Sequence, residues 1–313
     1  MSEKVLVIGA FGQIGTELVP ALKKIYGRNA VIAADLAARK SQVREGIYEY
    51  LDVLDDKRLS EIVDKYKITQ IYNLAAILSS TGEKRPKLAW DINMNGLLNV
   101  LEIAREKKVK KVFWPSSIAV FGDETPKLNT PQLTITQPST VYGISKLAGE
   151  LWCEYYFKNF GLDARSIRYP GLIGYAANPG GGTTDYAVDI FHKAIRSEVF
   201  HCYIHENTIM PMMYMPDAIR ATIEIMEAPA EKITVRDSYN VAAMSFSPTE
   251  IAAMIEKFIP DFKIDYRPDF REKIASSWPD SIDDAVAKKD WGWKPEYDLE
   301  KMTADMLEHL KTE

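Results

Sequence analysis

A tyrosine and a lysine four positions apart, Tyr142 and Lys146 in the segment YGISK, can together act as a base. On a helix this spacing puts both side chains on one face, about one turn apart. A phenol has a pKa of roughly 10, so it is protonated near neutral pH. An ammonium about 4 Å away favours the phenolate by on the order of 4 kcal/mol at an effective dielectric near 20, before desolvation and screening reduce the effect. We therefore expect Lys146 to lower the pKa of Tyr142, so that the phenolate can take a proton from an alcohol.

The spacing of this pair is not specific by itself, because Tyr297 and Lys301 repeat it. What distinguishes the first pair is the dipeptide of Ser116 and Ser117, which ends a predicted strand at the edge where α/β sheets bind ligands. Oxidation of an alcohol by a nicotinamide requires loss of the hydroxyl proton as the hydride departs. We expect Ser117 to hold the substrate oxygen, with Ser116 as an alternative or a helper. Lys146 is also expected to bond the nicotinamide ribose.

A glycine-rich segment, GAFGQIG at residues 9–15, directly follows the first predicted strand and opens the first predicted helix. Glycines in that context allow a tight turn and a close approach of the backbone to a pyrophosphate at the helix N-terminus. Asp35 follows Gly15 by twenty residues at the end of the second predicted strand. Its carboxylate can accept hydrogen bonds from a ribose diol and repels a 2′-phosphate. The pattern predicts NAD rather than NADP, a preference that nearby Arg39 weakens.

Two more predicted strands end at the same edge, at Asp52-Val53 and at Asn73-Leu74-Ala75-Ala76. In a doubly wound sheet, both ends fall beside the bound ligand. We expect Asp52 to bond the adenine amino group, and the small side chains of Ala75 and Ala76 to let the cofactor pass. Plain packing explains either segment equally well when it is taken alone.

Short β-branched runs that alternate with helical patterns position these residues. The predicted strands are Lys4–Gly9, Ala30–Asp35, Ile47–Asp52, Gln70–Ala75, Lys111–Ser116 and Ala164–Tyr169. The predicted helices between them are Gln13–Tyr26, Lys57–Tyr66, Leu88–Lys108 and Val141–Phe160. Several strands are continuous apolar runs, as expected of a parallel sheet buried on both faces. The alternation predicts the α/β class, with a doubly wound parallel (Rossmann) sheet.

The regular alternation ends near residue 170, and the rest of the chain is richer in proline and glycine. A helix is predicted to begin at Pro248, because Ser247 can cap it and Glu250 completes a capping box. Another helix is predicted over Leu299–Lys311. We therefore predict an NAD-binding domain at residues 1–170 and a smaller α/β substrate-binding lobe at 171–313. The boundary is soft, since part of the C-terminal chain can return to the sheet.

Composition narrows the class of protein further. The 313 residues carry a net charge of −5 with both signs interspersed, which leaves no basic surface for nucleic acid. No apolar run approaches the roughly 20 residues of a membrane span, and the N-terminus leads directly into a strand pattern rather than a signal peptide. Two cysteines are too few for a disulfide framework. A cytoplasmic protein without membrane or nucleic-acid partners is expected.

Two histidines, His201 and His205, flank Cys202 in the segment HCYIH. The segment is predicted to be a strand, in which residues four apart lie roughly 13 Å apart and cannot share one ion. The sequence has neither an HExxH motif nor paired CxxC motifs. We therefore expect no metal site.

These motifs together resemble the extended short-chain dehydrogenase/reductases over essentially the whole chain. The resemblance rests on GAFGQIG at 9–15, Asp35, NLAA at 73–76, Asn93, PSSIAVFG at 115–122 and YGISK at 142–146. It implies that Tyr142 is the catalytic base, Lys146 its partner and Ser117 the hydroxyl that orients the substrate, with Ser116 as a second candidate. The cofactor-binding residues implied are Gly9, Gly12, Gln13, Ile14, Gly15, Asp35, Asp52, Val53, Leu74, Ala75, Ala76, Asn93, Tyr142, Lys146 and Tyr169. The family also implies a homodimer through a four-helix bundle, formed here by the helices near 88–108 and 141–160.

Two branches of that family compete, the nucleotide-sugar epimerases and dehydratases and the short-chain L-threonine 3-dehydrogenases. Segments similar to the second branch lie at 115–122, 168–188, 210–219 and 277–293. By that similarity, the residues expected to contact the amino-acid substrate are Ser79 or Ser80, Ser117, Tyr142, Gly182, Thr183, Thr184 and Trp278. Residues 171–192 contain no Lys or Arg, which suits a small zwitterion better than a diphosphate.

The reaction expected from this resemblance is NAD-dependent oxidation of the L-threonine 3-hydroxyl to 2-amino-3-oxobutyrate. Arg236 and Arg267 lie elsewhere in the lobe and keep the nucleotide-sugar alternative open. A third alternative is an NAD-sensing protein that turns over no alcohol.

Overall fold

A parallel six-stranded sheet forms the centre of the computed structural model, which describes residues 3–36, 46–177 and 180–311. Arg39 lies outside the described residues. The strands are β1 (Val5–Ile8), β2 (Val31–Asp35), β3 (Ile47–Tyr50), β4 (Gln70–Asn73), β5 (Lys111–Phe113), β6 (Ser116–Ser117), β7 (Asp163–Arg165), β8 (Ile167–Tyr169), β9 (Gly171–Ile173), β10 (Phe200–Cys202), β11 (Met210–Tyr214), β12 (Tyr239–Asn240), β13 (Met244–Phe246) and β14 (Ile264–Tyr266). The central sheet has the order β3-β2-β1-β4-β5-β7, so the predicted α/β fold with a doubly wound parallel sheet is confirmed.

Helices cover both faces of this sheet. They are α1 (Gln13–Tyr26), α2 (Asp56–Tyr66), α3 (Ser79–Lys84), α4 (Pro86–Trp90), α5 (Gly96–Glu106), α6 (Val141–Phe160), α7 (Tyr186–Ile195), α8 (Met215–Glu227), α9 (Pro248–Phe258), α10 (Phe270–Ala275), α11 (Ala285–Trp291) and α12 (Leu299–Lys311). Val5 and Val7 of β1 join the core on the α1 side, whereas Leu6 and Ile8 join the core on the α2 and α5 side. This alternation follows from the two-residue period of a strand.

The predicted helix over Leu88–Lys108 is wrong in one respect, because a π-helical segment, Asp91–Asn95, separates α4 from α5. That segment carries Asn93, whose side chain bonds both backbone groups of Ile77 and the hydroxyl of Ser145. Single-turn π segments often occur at functional sites. The irregular turn thus directs one amide towards the segment that follows β4.

The predicted strand over Ala164–Tyr169 is two strands in different sheets. The first, β7, pairs with β5, and the second, β8, pairs with β6 and β12. Ser166 separates them, and its carbonyl accepts a hydrogen bond from the Tyr239 N–H at 3.0 Å. The break lets the C-terminal part of the chain add β12 beside the ligand edge.

The chain after residue 170 contributes to more than one core. The helix α8 packs against α1, and Met213 to Met226 supply part of the core on that face of the sheet. A separate core around α7, α9 and α12 underlies the rest of this region. The two-domain division at residue 170 stays a prediction, with α8 as a segment that returns to the sheet. Among the described residues, no helix has the length and apolar character needed to cross a membrane.

Candidate active site

Two glycines fix the turn between β1 and α1. Gly9 has a φ of +77°, and a Cβ there would lie 2.9 Å from the backbone nitrogen of Ala75. A Cβ on Gly15 would lie 2.4 Å from the carbonyl oxygen of Gly9. Only glycine therefore allows this turn and the close packing of α1 against it. The N-terminus of α1 is left pointing towards the sheet edge, as a dinucleotide diphosphate requires.

Asp35 at the end of β2 lies beside the same turn. Its carboxylate accepts hydrogen bonds from the backbone N–H groups of Phe11, at 2.9 Å, and Leu36, at 2.8 Å. A cavity opens here, which we call the glycine-loop cavity. The predicted residues that line it are Gly9, Gly12, Gln13, Asp35, Asp52, Val53, Leu74, Ala75 and Ala76.

A second cavity, which we call the tyrosine cavity, adjoins the first. Gln13, Leu74 and Ala76 line both. The other predicted residues that line the tyrosine cavity are Ile14, Ser79, Ser116, Ser117, Tyr142, Lys146, Tyr169, Gly182, Thr183, Thr184 and Trp278. The strand ends and the N-terminus of α6 therefore bring the predicted catalytic, cofactor and substrate residues to one place.

Three predicted residues lie outside the lining of both cavities. Gly15 is packed behind the turn, and Asn93 holds the backbone of Ile77 in position. Ser80 follows Ser79 on α3, but only Ser79 lines a cavity. Of the two serines left open by the sequence, Ser79 therefore fits a substrate contact better.

The two serines at β6 have different surroundings. The buried Ser116 donates its hydroxyl to the Glu150 carboxylate at 2.5 Å. The hydroxyl of Ser117 accepts the N–H of Ala119 at 3.2 Å, and Ser117 lines the same cavity as Tyr142, whose pKa it lowers. Ser117 is therefore the hydroxyl placed to share a ligand with Tyr142, and Ser116 is engaged elsewhere.

Lys146 is buried, and its amine donates to the carbonyl of Pro115 at 2.5 Å. The same amine lies 4.3 Å from the ring centroid of Trp114 and 5.4 Å from that of Tyr142. Burial lowers the pKa of Lys146 to about 7, and the neighbouring groups Cys153 and Glu150 oppose that decrease. Burial therefore disfavours the protonated form of this amine.

The expected effect of Lys146 on the phenol is wrong for this structure. Burial raises the pKa of Tyr142 to about 12, and the hydrogen bond with Ser117 opposes the increase only in part. Desolvation disfavours the charged forms of both the phenol and the amine. It outweighs the attraction that the spacing of Tyr142 and Lys146 led us to expect.

The substrate side of the tyrosine cavity is polar. The hydroxyls of Ser79 and Thr183 are hydrogen bonded at 3.1 Å, and both residues are buried. Thr184 and Trp278 complete this wall. Tyr169 contributes its ring only, because its hydroxyl is bonded to Thr222.

Two residues of the site were missed in the sequence. Asp185 lines the tyrosine cavity, and its carboxylate accepts the N–H groups of Gly181, at 2.8 Å, and Gly182, at 2.7 Å. An acid three residues after Gly182 at a helix start is a capping signal that could have identified it. Trp114 covers the amine of Lys146, and the sequence carries no signal for that contact.

No group of three or more His, Cys, Asp or Glu side chains that could hold a metal ion occurs among residues 3–36, 46–177 and 180–311. His201 instead pairs with Asp265 at 3.2 Å.

The fold and the site define a Rossmann-fold oxidoreductase class, with a glycine turn for a dinucleotide and, beside it, a buried lysine with a half-buried tyrosine and serine. The chain belongs to the NAD dependent epimerase/dehydratase family, whose model matches residues 5–242. The expected family and the expected cofactor, NAD, are thereby confirmed.

Curated relatives and solved structures agree with that family. An uncharacterized epimerase/dehydratase of Staphylococcus aureus is 50% identical over 99% of this chain and 97% of its own length. A solved partial consensus L-threonine 3-dehydrogenase is 57% identical, with a TM-score of 0.98, and covers 99% of this chain and 100% of its own. The GalE-like L-threonine dehydrogenase from Cupriavidus necator, in its holo form, is 56% identical, with a TM-score of 0.95, over 97% of this chain and 99% of its own.

One further solved structure bears on assembly. A monomeric L-threonine 3-dehydrogenase from a metagenome is 48% identical, with a TM-score of 0.95, and covers 98% of this chain and 99% of its own. The likeness extends over the full chain in each case, including the region after residue 170.

Proposed function

We propose that this protein oxidises the 3-hydroxyl of L-threonine to 2-amino-3-oxobutyrate with NAD as the hydride acceptor. The similarity to solved L-threonine dehydrogenases supports this proposal. The observation that carries it is the make-up of the tyrosine cavity, where hydroxyls and one carboxylate surround the phenol and no arginine occurs among the described lining residues.

The cavity fits a small zwitterion better than a nucleotide sugar. It has about 120 Å³ of accessible volume, against about 800 Å³ for the glycine-loop cavity. A diphosphate in a protein site is normally held by arginine or lysine. Among the described lining residues, the only cation is Lys146, which is buried against Pro115.

Each end of the amino acid has a partner of suitable chemistry. Asp185 is the acid of the cavity, so its carboxylate is the expected partner of the substrate ammonium. The hydroxyls of Ser79, Thr183 and Thr184 are donors for the substrate carboxylate. Trp278, which is buried at the cavity wall, limits the size of the substrate side chain.

The reaction then needs one proton acceptor and one orienting hydroxyl. Ser117 holds the 3-hydroxyl of the substrate, and Tyr142 takes the hydroxyl proton as the C–H bond loses its hydride. Lys146 stays bonded to Pro115 and offers its remaining donors to the cofactor ribose. NAD⁺, when bound, would supply the hydride acceptor and a positive charge that favours the phenolate of Tyr142.

The glycine-loop cavity is the proposed NAD site. The backbone at Gly9 and Gly12 approaches the diphosphate, and Asp35 accepts hydrogen bonds from the adenosine ribose. Asp52 lines the same cavity and is the proposed partner of the adenine amino group. Ala75 and Ala76 leave room for the cofactor between the two cavities.

We also propose a homodimer formed through α4 and α6. These helices expose large apolar side chains, namely Leu88, Trp90, Ile144, Leu151, Trp152 and Tyr155. Contiguous apolar patches on a surface typically mark an interface. The metagenome relative described as monomeric makes this a point for direct measurement.

A cytoplasmic location is part of the proposal. Both cysteines, Cys153 and Cys202, are free and buried, which suits a reducing compartment. Fractionation of cells that express the tagged protein tests the location.

The deciding experiment follows NADH absorbance with NAD and L-threonine, beside a matched panel of UDP-sugars. NADH formation that depends on threonine, with no sugar isomerised, is the expected result. Isomerisation of a UDP-sugar without any threonine-dependent NADH would replace the proposal by the epimerase alternative. NAD binding with no turnover of either panel would favour a sensing role.

A further inference from the structure

Three side chains on one face of α6 meet three consecutive residues of the strand end. Tyr142, Lys146 and Glu150 lie one helical turn apart. Their contacts lie along the tripeptide Pro115-Ser116-Ser117, which contains β6. Two of the three helix residues belong to the proposed machinery, and Glu150 has no role in it so far.

Each residue of the tripeptide is held by a different turn of the helix. The amine of Lys146 donates to the Pro115 carbonyl at 2.5 Å. The hydroxyl of Ser116 donates to Oε1 of Glu150, also at 2.5 Å. A hydrogen bond to the acceptor oxygen of a carboxylate is among the stronger ones in proteins. Ser117, next in the chain, faces Tyr142 across the tyrosine cavity and lowers the pKa of its phenol.

Gly149 of α6 allows the helix to approach the strand end closely. A Cβ on Gly149 would lie 2.3 Å from the ring of Trp114, the residue that precedes Pro115. Any larger side chain would push α6 away from the tripeptide and lengthen all three contacts.

Glu150 is itself fixed by a buried arginine. The Arg168 guanidinium donates from Nε, at 2.9 Å, and from Nη2, at 2.8 Å, to the two carboxylate oxygens. Arg168 also donates to the Gln132 carbonyl and to Oδ1 of Asn240, each at 3.1 Å. Because desolvation offsets most of the attraction in a buried pair, such a pair adds little stability compared with apolar packing. The pair does, however, hold the Glu150 carboxylate in place in front of the Ser116 hydroxyl.

We propose that Glu150 is a positioning residue, which fixes Ser117 against Tyr142 by holding Ser116 from the next turn of α6. We call the hydrogen bond between the Ser116 hydroxyl and the Glu150 carboxylate the clamp. Its effect on catalysis rests on the proposed function, but the clamp itself exists without substrate. A displacement of about 1 Å at a reacting group can cost up to roughly 100-fold in rate, so a clamp of this kind has a measurable effect.

Two variants break the clamp in different ways. Ser116→Ala removes the hydroxyl and leaves the ion pair of Glu150 and Arg168 intact. Glu150→Asp keeps the charge but withdraws the carboxylate by one methylene. Ser238→Ala is the matched control, because Ser238 is a buried serine whose hydroxyl bonds another serine, Ser166, at 2.9 Å. That control loses a neutral hydrogen bond of a buried serine in which neither Ser116 nor Glu150 takes part.

Two measurements read the clamp and its consequence separately. Hydrogen–deuterium exchange of a peptide that covers residues 115–120, without substrate, reports the clamp. Turnover of L-threonine at saturating NAD, together with the NAD dissociation constant, reports the consequence. We expect faster exchange and a kcat lower by about tenfold in both variants, with NAD affinity within twofold of wild type. The control Ser238→Ala should match wild type in exchange rate, in kcat and in NAD affinity.

The double variant Ser116→Ala/Glu150→Asp adds a thermodynamic cycle. If both changes act through one hydrogen bond, the double variant loses no more kcat than the single variants. Additive losses would mean that Ser116 meets the substrate directly, and they would overturn the proposal. The proposal would also be overturned if the single variants left hydrogen–deuterium exchange of residues 115–120 unchanged, or if they changed that exchange and left kcat unchanged.

Failure of the proposed function gives a different result. If the wild-type protein does not oxidise L-threonine, the substrate assignment is wrong. The catalytic role proposed for Glu150 is then wrong too, even if hydrogen–deuterium exchange confirms the clamp. If Glu150→Asp does not fold, exchange and kcat of Ser116→Ala decide the question. A direct substrate contact of Ser116 would lower kcat without altering exchange in the substrate-free protein.

Discussion

The Nζ atom of Lys146 lies 4.3 Å from the ring centroid of Trp114, so the indole covers an amine that is almost fully buried. The cation–π contact and the Pro115 carbonyl offset part of the cost of burying this group. The remaining cost appears as the pKa of about 7 for a group whose ordinary value is 10.5. Burial of the Lys146 amine therefore lowers the free energy of unfolding of the protein.

Replacing Lys146 by methionine is expected to stabilise the protein while it abolishes function. Because the folded-state pKa is depressed, the unfolded chain binds more protons between pH 10.5 and about 7, and wild-type stability falls as the pH decreases through that window. We expect Lys146→Met to be more stable at pH 7 by on the order of 2 kcal/mol, after the loss of the Pro115 bond is subtracted. Urea unfolding at pH 7 and pH 10 measures the difference, which should shrink at the higher pH. A variant less stable than wild type at pH 7 contradicts the assigned cost.

Tyr142→Phe tests the proton acceptor. The variant keeps the ring and loses the hydroxyl, so we expect turnover to fall by about 100-fold or more while NAD affinity is nearly unchanged. Steady-state NADH formation and a fluorescence titration with NAD measure the two quantities. Tyr297→Phe is the control, because Tyr297 has the same spacing to Lys301 and lies outside both cavities. Full activity in Tyr142→Phe would remove the proposed base.

Local signals in the sequence predicted the bounds of several helices. The bounds of α1, α6 and α12 match the sequence expectation, and Ser247 with Glu250 forms the predicted capping box of α9. The glycine spacing and Asp35 identified residues that line the glycine-loop cavity, because each depends on backbone geometry within one βαβ unit. Such features are decided by residues close together in the chain.

The features that the sequence did not predict depend on contacts between residues far apart in the chain. The break at Ser166 depends on β12, which comes some seventy residues later in the chain, and the π segment depends on Asn93 reaching Ile77. Spacing alone led us to expect that Lys146 depresses the pKa of Tyr142. Burial, whose depth no pattern in the sequence reports, raises the pKa of Tyr142 instead.

The rate of alcohol oxidation should rise with pH. Burial raises the pKa of Tyr142 to about 12, so the phenolate is the minor form at neutral pH. Below the pKa, each pH unit increases the phenolate fraction about tenfold, and kcat/KM should increase with it until another step limits the rate. A profile of kcat/KM for L-threonine over about three pH units, from roughly pH 6.5 to roughly pH 9.5, gives the slope. A flat profile across that range would mean that Tyr142 does not gain the proton in the limiting step.

Asp35→Asn tests the cofactor preference. The amide keeps the size of the side chain but loses the charge that accepts a ribose diol and repels a 2′-phosphate. We expect NAD to bind about tenfold more weakly, a loss of about 1.4 kcal/mol, and the ratio of NADP to NAD affinity to rise. Fluorescence titrations with both dinucleotides give the ratio. Asp52→Asn is the comparison, since Asp52 lines the same cavity and should alter both affinities alike.

Leu151→Glu tests the proposed dimer. The Leu151 side chain on α6 is 57% exposed and lies one to two turns from Ile144 and Tyr155 on the same apolar face. A buried carboxylate at a dimer interface costs several kcal/mol, so we expect the variant to be monomeric at micromolar concentration where wild type is dimeric. Light scattering after size exclusion measures the mass. Leu133→Glu is the matched control, because Leu133 is 92% exposed on a loop outside α4 and α6, and its charge should leave the mass unchanged. A wild-type protein that already elutes with the mass of one chain would show that the apolar face serves another purpose.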